Sequence, residues 1–356
     1  MGNFVFNIKK SIRNNINNKK IKTTINLILM LVSFGILFYF CFQNNNLTNL
    51  INTLPRLNKI YLQIAFLCIV LSWIIDSKIL KLLVLEIENK NYKNILFFKI
   101  TMVGQYFTVI TPLALAAQPM QILEFSKHGM DKSNATALLI RKFYIYQLCL
   151  LIYSLLSFIL CFKQIESQKL GFLYPLIVTG ILFQGSVALV IILFSIKKNL
   201  ILCTSKFAIK ILYNMKIIKD KDKAKTNFKQ KINCFLESNK SLSKNKKLNF
   251  KIYIYTFLEL AFTFLITFFI FKAFNHSDFP ILPMAYTQNV TTTVSSFTPL
   301  PGSAGTTENV FLILFKPFFY ETEIIQAMIL FRFISFYFAL LPGIIFYKIK
   351  IKNFQK

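Results

Sequence analysis

Six stretches of this chain stay apolar long enough to cross a lipid bilayer, and two more are equally apolar but broken by proline and glycine. The unbroken runs lie at residues 25–42, 60–85, 133–162, 170–196, 252–274 and 324–347. At 1.5 Å per residue even the shortest reaches about 27 Å, close to the thickness of a hydrocarbon core. Packing in a soluble core cannot hide so much apolar surface. Of the 356 residues 55% are hydrophobic and 16% charged, against roughly 25% charged in soluble domains. Lipid is therefore the natural solvent for most of the chain. The predicted class is an all-α polytopic membrane protein, a single domain over 1–356, because helices satisfy every backbone N–H internally.

Charge sets the direction of the crossings. The chain holds 42 Lys+Arg against 14 Asp+Glu, a net +28. In a soluble protein that balance points to nucleic acid; in a membrane protein it marks cytoplasmic loops with anionic lipid as partner, and no DNA partner is expected. Residues 1–24 carry six basic side chains and no acid, residues 197–251 carry 16 Lys and 3 acids, and the chain closes on Lys348, Lys350, Lys352 and Lys356. Both termini and the basic loop are thus predicted to be cytoplasmic, and six crossings return the chain to its starting side. Asp76, Lys78 and Lys81 are expected at the cytoplasmic interface. Within the loop, Phe207, Ile211, Met215 and Ile218 keep helical spacing, which suits either a helix lying on an anionic leaflet or a solvated loop. No small-residue cleavage site follows the first run, so it reads as an uncleaved span.

Several chemistries have no support. The cysteines (41, 68, 149, 161, 203 and 234) form no C-x-x-C pair, and the two histidines, His128 and His276, are far apart. Neither a metal site nor a disulfide frame is expected. There is no G-x-x-x-x-G-K phosphate loop and no G-x-S-x-G elbow, so no cofactor and no hydrolytic nucleophile are expected.

The broken segments span residues 97–120 and 280–320. Pro112 and Pro119 divide the first; Pro280, Pro283, Pro299, Pro301, Gly302, Gly305 and Pro317 divide the second. Each is expected to enter and leave on one side as a re-entrant hairpin, the first from the cytoplasm and the second from outside. Two further full spans around 298–305 would satisfy the charges equally. The segments resemble each other: VITPLALAAQP at 109–119 and SFTPLPGSAGT at 296–306 share Thr-Pro-Leu, at Thr111 and Thr298. A lone arginine follows each, Arg141 after 30 residues and Arg332 after 34. Each half, 1–165 and 166–356, then holds three spans and one hairpin. An odd span count makes the halves inverted repeats, giving eight membrane segments, an order that recurs in secondary transporters.

Arginine usage is selective. Only four are present, and Arg141 and Arg332 sit in the apolar contexts LLIRKFYIY and ILFRFISFY. A planar, permanently charged guanidinium suits bidentate recognition of phosphate. Equally, Arg332 has an acid candidate in Glu308, and Arg141 is near enough to a helix end to snorkel. Irregular backbone at membrane depth is tolerated only in protein or against a watery cavity. The stretch TPLPGSAGTTE at 298–308 therefore implies such a cavity, with Thr306 able to cap a helix whose positive end faces it. The polar run Gln288, Asn289, Thr291, Thr292, Thr293 and Ser295 is partly helix-packing glue, and Glu259, inside TFLELAF, is a further acid candidate.

At these residues the sequence resembles the lysylphosphatidylglycerol synthase transmembrane, or flippase-like, integral membrane proteins. The carrying motifs are TPLALAAQPMQILEFSKHGM (111–130), TPLPGSAGTTENVF (298–311) and LFRFISFYFALLPGIIFY (330–347). Gln118 and Pro119 match the family's first element, with Ala116 and Ala117 where paired glycines are usual. Pro301, Gly302, Gly305 and Glu308 match the second, and Arg332, Phe333 and Gly343 the last. The resemblance implies a bacterial cell-membrane protein that moves phosphatidylglycerol or its lysylated form between leaflets and so blunts cationic antimicrobial peptides. The implied lipid contacts are Arg332, Arg141, Glu308, Gln118, Thr298 and Thr111, on hairpin backbone shaped by Pro112, Pro119, Pro299, Pro301, Gly302 and Gly305. Two-part members add a cytosolic domain that transfers lysine from lysyl-tRNA. Only the membrane half is recognised here, so translocation is expected rather than transfer. A phosphatidylglycerol lysyltransferase, or a membrane subunit partnering a separate cytosolic synthase or glycosyltransferase, is the rival reading; homo-oligomer formation is left open.

Overall fold

The computed structural model describes Gly35 and residues 46–88, 92–111, 114–167, 170–196 and, apart from 235, 239 and 243, 233–349. The first apolar run apart from Gly35, Pro112 and most of the basic loop lie outside these residues. The described residues are helical with no strand, as unbroken apolar runs in lipid demand. A short helix α1 (Asn46–Thr53) precedes four long ones: α2 (Lys59–Glu88), then α5 (Lys132–Ser167), α6 (Leu173–Ile196) and α7 (Lys246–Ala273). A fifth apolar crossing is jointed, α10 (Ile324–Ser335) passing through a single 3-10 turn into α11 (Leu340–Lys348). All five are long and apolar enough to cross a membrane. Their outer faces agree: Ile159 on α5 and Leu182 on α6 are 69% and 67% exposed, a cost that lipid contact removes. The caps are local. Asp131 starts α5 by accepting the Ser133 N–H at 2.7 Å, and Asn245 accepts the Leu248 N–H at 3.0 Å to start α7.

α2 and α7 form the antiparallel spine. At one end the Asn58 N–H donates to the Ala273 carbonyl at 2.8 Å; at the other the Asn245 side-chain amide donates to Glu86 at 2.9 Å. The two broken segments pack against this spine as hairpins. The first, α3 (Asn94–Ile110) and α4 (Ala117–Lys127), starts at the Glu86 end, where Lys81 donates to Asn94 at 2.9 Å. The second, α8 (Ile281–Ser295) and α9 (Thr306–Leu314), starts at the Asn58 end, where the Phe279 ring meets Phe318 at 4.9 Å and His276 meets Glu323 at 2.7 Å. Every arm is shorter than the ~20 residues a crossing needs.

The proline roles differ from expectation in one respect. Pro119 does not break the first hairpin; it sits in the first turn of α4, where its missing N–H has no intrahelical partner to lose. Pro283 does the same in α8. The turn of the first hairpin falls instead between Thr111 and Ala116, and includes Ala114 at a left-handed φ of 55°. Thr111 secures it, donating to the Phe107 carbonyl at 2.5 Å and accepting the Ala116 N–H at 3.4 Å.

Candidate functional site

Helical periodicity brings one face of each of three elements to a common space. Thr101, Gly104, Gln105 and Thr108 share a face of α3; Gln118 and Gln121 share a face of α4; Leu139, Lys142, Phe143 and Tyr146 share a face of α5. Asp76 from α2, Glu259 from α7 and the small Ala114 and Ala117 complete the lining of a cavity of about 270 Å³, near the lower bound of small-ligand pockets at ~300 Å³. The two acids lie deep in their spans. Glu259 is about 20 Å along α7 from either end, and Asp76 about 18 Å from the nearer end of α2.

The charges there are organised. Asp76, buried at 3% exposure, forms an ion pair with Lys142 and accepts the Thr101 hydroxyl at 2.8 Å. It faces the cavity, not the membrane interface expected for it. Glu259 projects a buried Oε2 that accepts no hydrogen bond among the described residues. Below the cavity the hairpin arms are tied together. Gln121 donates to the Ile100 carbonyl at 3.1 Å, and Lys99 is ion-paired with Glu124, both side chains almost fully buried. Gly104 is needed for this closeness: a Cβ there would lie 2.8 Å from the Gln121 amide carbon.

The second hairpin is built otherwise. Glu308 is fully buried in the first turn of α9, and its Oε2 accepts the Gly305 N–H at 2.7 Å. Gly305, not Thr306, is therefore the cap residue, and the positive end of α9 is occupied by the chain's own carboxylate. The other oxygen of Glu308 meets Arg332 Nε at 2.8 Å. The Arg332 guanidinium lies over the Phe336 ring at 4.9 Å and Tyr337 at 5.8 Å, and its Nη2 finds no hydrogen-bond partner among the described residues. Thr298 donates to the Thr306 hydroxyl at 2.9 Å across the turn. Phe336 packs so closely on Gly302, at φ 59°, that a Cβ would lie 2.6 Å from its ring carbons.

Of the residues singled out in the sequence, the structure brings Arg332, Glu308 and Thr298 to the second hairpin, and Gln118 and Glu259 to the cavity. Arg141 belongs to neither group; its Nε donates to Asn249 at 3.2 Å and its guanidinium covers the Tyr144 ring at 5.3 Å. Adjacent helix residues point about 100° apart, and it is Lys142 that enters the cavity. The polar face of α8 acts as glue: Gln288 accepts from Thr267 at 2.8 Å, and Ser154 meets both Thr293 and Gln184 at 2.8 Å. The residues not foreseen as site members are Asp76, Lys142, Thr101 and Tyr146. Their one sequence signal is polarity inside apolar runs, in WIIDSK, FFKITMV and IRKFYIY.

Comparison with known proteins adds to this. No curated protein matches the chain. Residues 26–343 match the family model described as the lysylphosphatidylglycerol synthase TM region, which takes in both hairpins, the cavity and all of the described crossings but the end of the last. This multi-pass helical membrane chain thus belongs to the lysylphosphatidylglycerol synthase transmembrane-region family.

Proposed function

We propose that the chain is a flippase-like lipid translocase. It takes the head group of an anionic or aminoacylated phospholipid, of the phosphatidylglycerol or lysyl-phosphatidylglycerol type, through the charged cavity while the acyl chains remain in the bilayer. One observation carries this reading: three ionisable side chains, Asp76, Lys142 and Glu259, line one cavity about 15–20 Å from the nearer ends of their helices, beside a hairpin too short to cross. Each such charge costs roughly 2.5–3.5 kcal/mol to insert at a helix centre. Their grouping around open space suits a polar group in passage better than it suits packing.

In this reading Lys142 and the Gln118 amide donate to the phosphodiester. Arg141, at the Glu86 end, draws anionic head groups toward the cavity by charge alone. Thr111 holds the turn that carries Gln118. Arg332, anchored by Glu308 with Thr298 beside it, offers its remaining Nη2 hydrogens at the second hairpin. The entry of the two hairpins from opposite ends of the α2–α7 spine supports two inverted repeats, 1–165 and 166–356, and eight membrane segments once the 25–42 run is counted. Both termini then face the cytoplasm of a bacterial cell, and lysylated lipid delivered to the outer leaflet would repel cationic peptides.

The test is leaflet exchange in reconstituted vesicles carrying head-group-labelled phosphatidylglycerol and an external, impermeant quencher. Wild-type protein is expected to bring inner-leaflet label within reach of the quencher. Gln118→Leu removes a donor whose loss costs ~1.5–3 kcal/mol against a charged partner, so exchange should slow roughly tenfold or more. Quenching no greater than in protein-free vesicles would overturn the proposal.

A further inference from the structure

The cavity is one positive charge short. Two carboxylates, Asp76 and Glu259, face a single ammonium, and that ammonium is committed to Asp76. Asp76 is satisfied further by Thr101, which leaves the buried Oε2 of Glu259 with no hydrogen-bond donor among the described residues. An ionised carboxylate left so, away from bulk water, carries a penalty of several kcal/mol. The groups that face Glu259 do not relieve it. From α2 it meets Asp76; from α5 it meets Lys142, Tyr146 and Cys149. The α3–α4 hairpin contributes uncharged Thr101, Gln105, Gln118 and Gln121. Lys99 of that hairpin is engaged by Glu124, and Arg332 of α10 by Glu308. The smallest species that supplies the missing charge is a proton, and the cavity gives water a route to it.

We infer that Glu259 is a proton-binding site, coupled through the Asp76–Lys142 pair to head-group binding, so that lipid translocation is driven by a proton gradient. The inference rests on the translocase reading above and adds its energy source. The coupling follows from the shared lysine. A phosphodiester that draws Lys142 away from Asp76 leaves two carboxylates without a counter-charge, which strengthens proton binding at the pair. By linkage a proton bound at Glu259 strengthens phosphodiester binding in the same measure. Proton and anionic head group therefore load together, with no net charge added to the cavity, and leave together on the other side.

Vesicles with labelled phosphatidylglycerol and an imposed pH gradient test this. For one proton per lipid the wild type should build a leaflet asymmetry approaching about tenfold per pH unit, reversing when the gradient is reversed. Glu259→Gln, which keeps the shape, should bring the asymmetry to about one, and Glu259→Asp, which keeps the carboxyl, should retain part of it. Independently, the infrared spectrum of detergent-purified protein should contain a protonated-carboxyl band that titrates and that Glu259→Gln removes. Exchange without asymmetry in the wild type, or asymmetry that survives Glu259→Gln, would overturn the coupling while leaving the translocase intact. No exchange under any gradient, with the band present, would leave the proton site and sink the translocase. Absence of the band would remove the proton site.

Discussion

The two hairpins share a plan and differ in what they enclose. The first turns on Ala114, keeps Gly104 for the close approach of Gln121, and opens onto a cavity whose charges are only partly matched. The second turns on Gly302 and Gly305 and pairs its charges internally: Glu308 caps its own helix and holds Arg332, and aromatic rings pack nearby, with Phe311 stacked on Phe315 at 4.3 Å and on Phe331 at 5.5 Å. Similar short sequences thus give one turn beside a cavity with an unmatched acid and one whose acid is paired. The deciding factor is charge matching. A buried acid that has both a helix N-terminus and a guanidinium has its charge matched, whereas two acids sharing one lysine do not.

The largest effect should come from breaking the charge-matched side. Glu308→Ala leaves Arg332 buried and unpaired and should cost ~3–5 kcal/mol, read as a large fall in thermal stability in detergent. Replacing both, Arg332→Met with Glu308→Leu, should recover most of that loss. A Glu308→Ala protein as stable as wild type would mean that water reaches this hairpin as freely as it reaches the first. A smaller effect is expected from Gly302→Ala, which needs a left-handed φ and meets the Phe336 ring; ~1–3 kcal/mol is expected in the same measurement. Gly129→Ala is the control, since Gly129 has a φ of 86° but nothing within 4 Å of an added Cβ. Equal losses in the two would assign the cost to backbone strain alone and remove the close packing argued for the second hairpin. The smallest effect belongs to Arg141→Lys. A half-buried side chain with one amide partner should change stability by no more than about 0.5 kcal/mol, and lysine keeps the charge that attracts head groups, so vesicle exchange should stay within about twofold. A tenfold fall would promote Arg141 to a direct phosphate contact and make the first hairpin the more arginine-dependent of the two.

Much of this architecture was legible in the residues. The lengths of the apolar runs mark the five described crossings, and proline and glycine mark the two breaks. Arg332 stood out because it interrupts an apolar run, and Glu308 because it is the acid in the broken segment that precedes it. The cavity was harder to read. On α2 and α5 apolar residues run all round the helix, so no polar stripe shows which side faces the protein. Without that phase, Asp76 reads as an interfacial residue, and Arg141 draws the eye from Lys142, one position on. The cap of α9 was missed for a local reason: Thr306 is a good capping type, but the glycine before it lets the Glu308 carboxylate fold back onto the backbone N–H.

The ion pair between Asp76 and Lys142 also bears on how the chain is made. α2 leaves the ribosome with its acid before its partner exists, because Lys142 follows 66 residues later. At ~5–20 residues per second that interval lasts on the order of 3–13 s. A lone aspartate near a helix centre costs roughly 2.5–3.5 kcal/mol against insertion, so α2 has reason to linger beside the insertion machinery until α5 arrives. The first hairpin, synthesised in the same interval, would then be laid down between two helices not yet committed to lipid. A segment too short to cross can settle there without ever having to span the bilayer on its own.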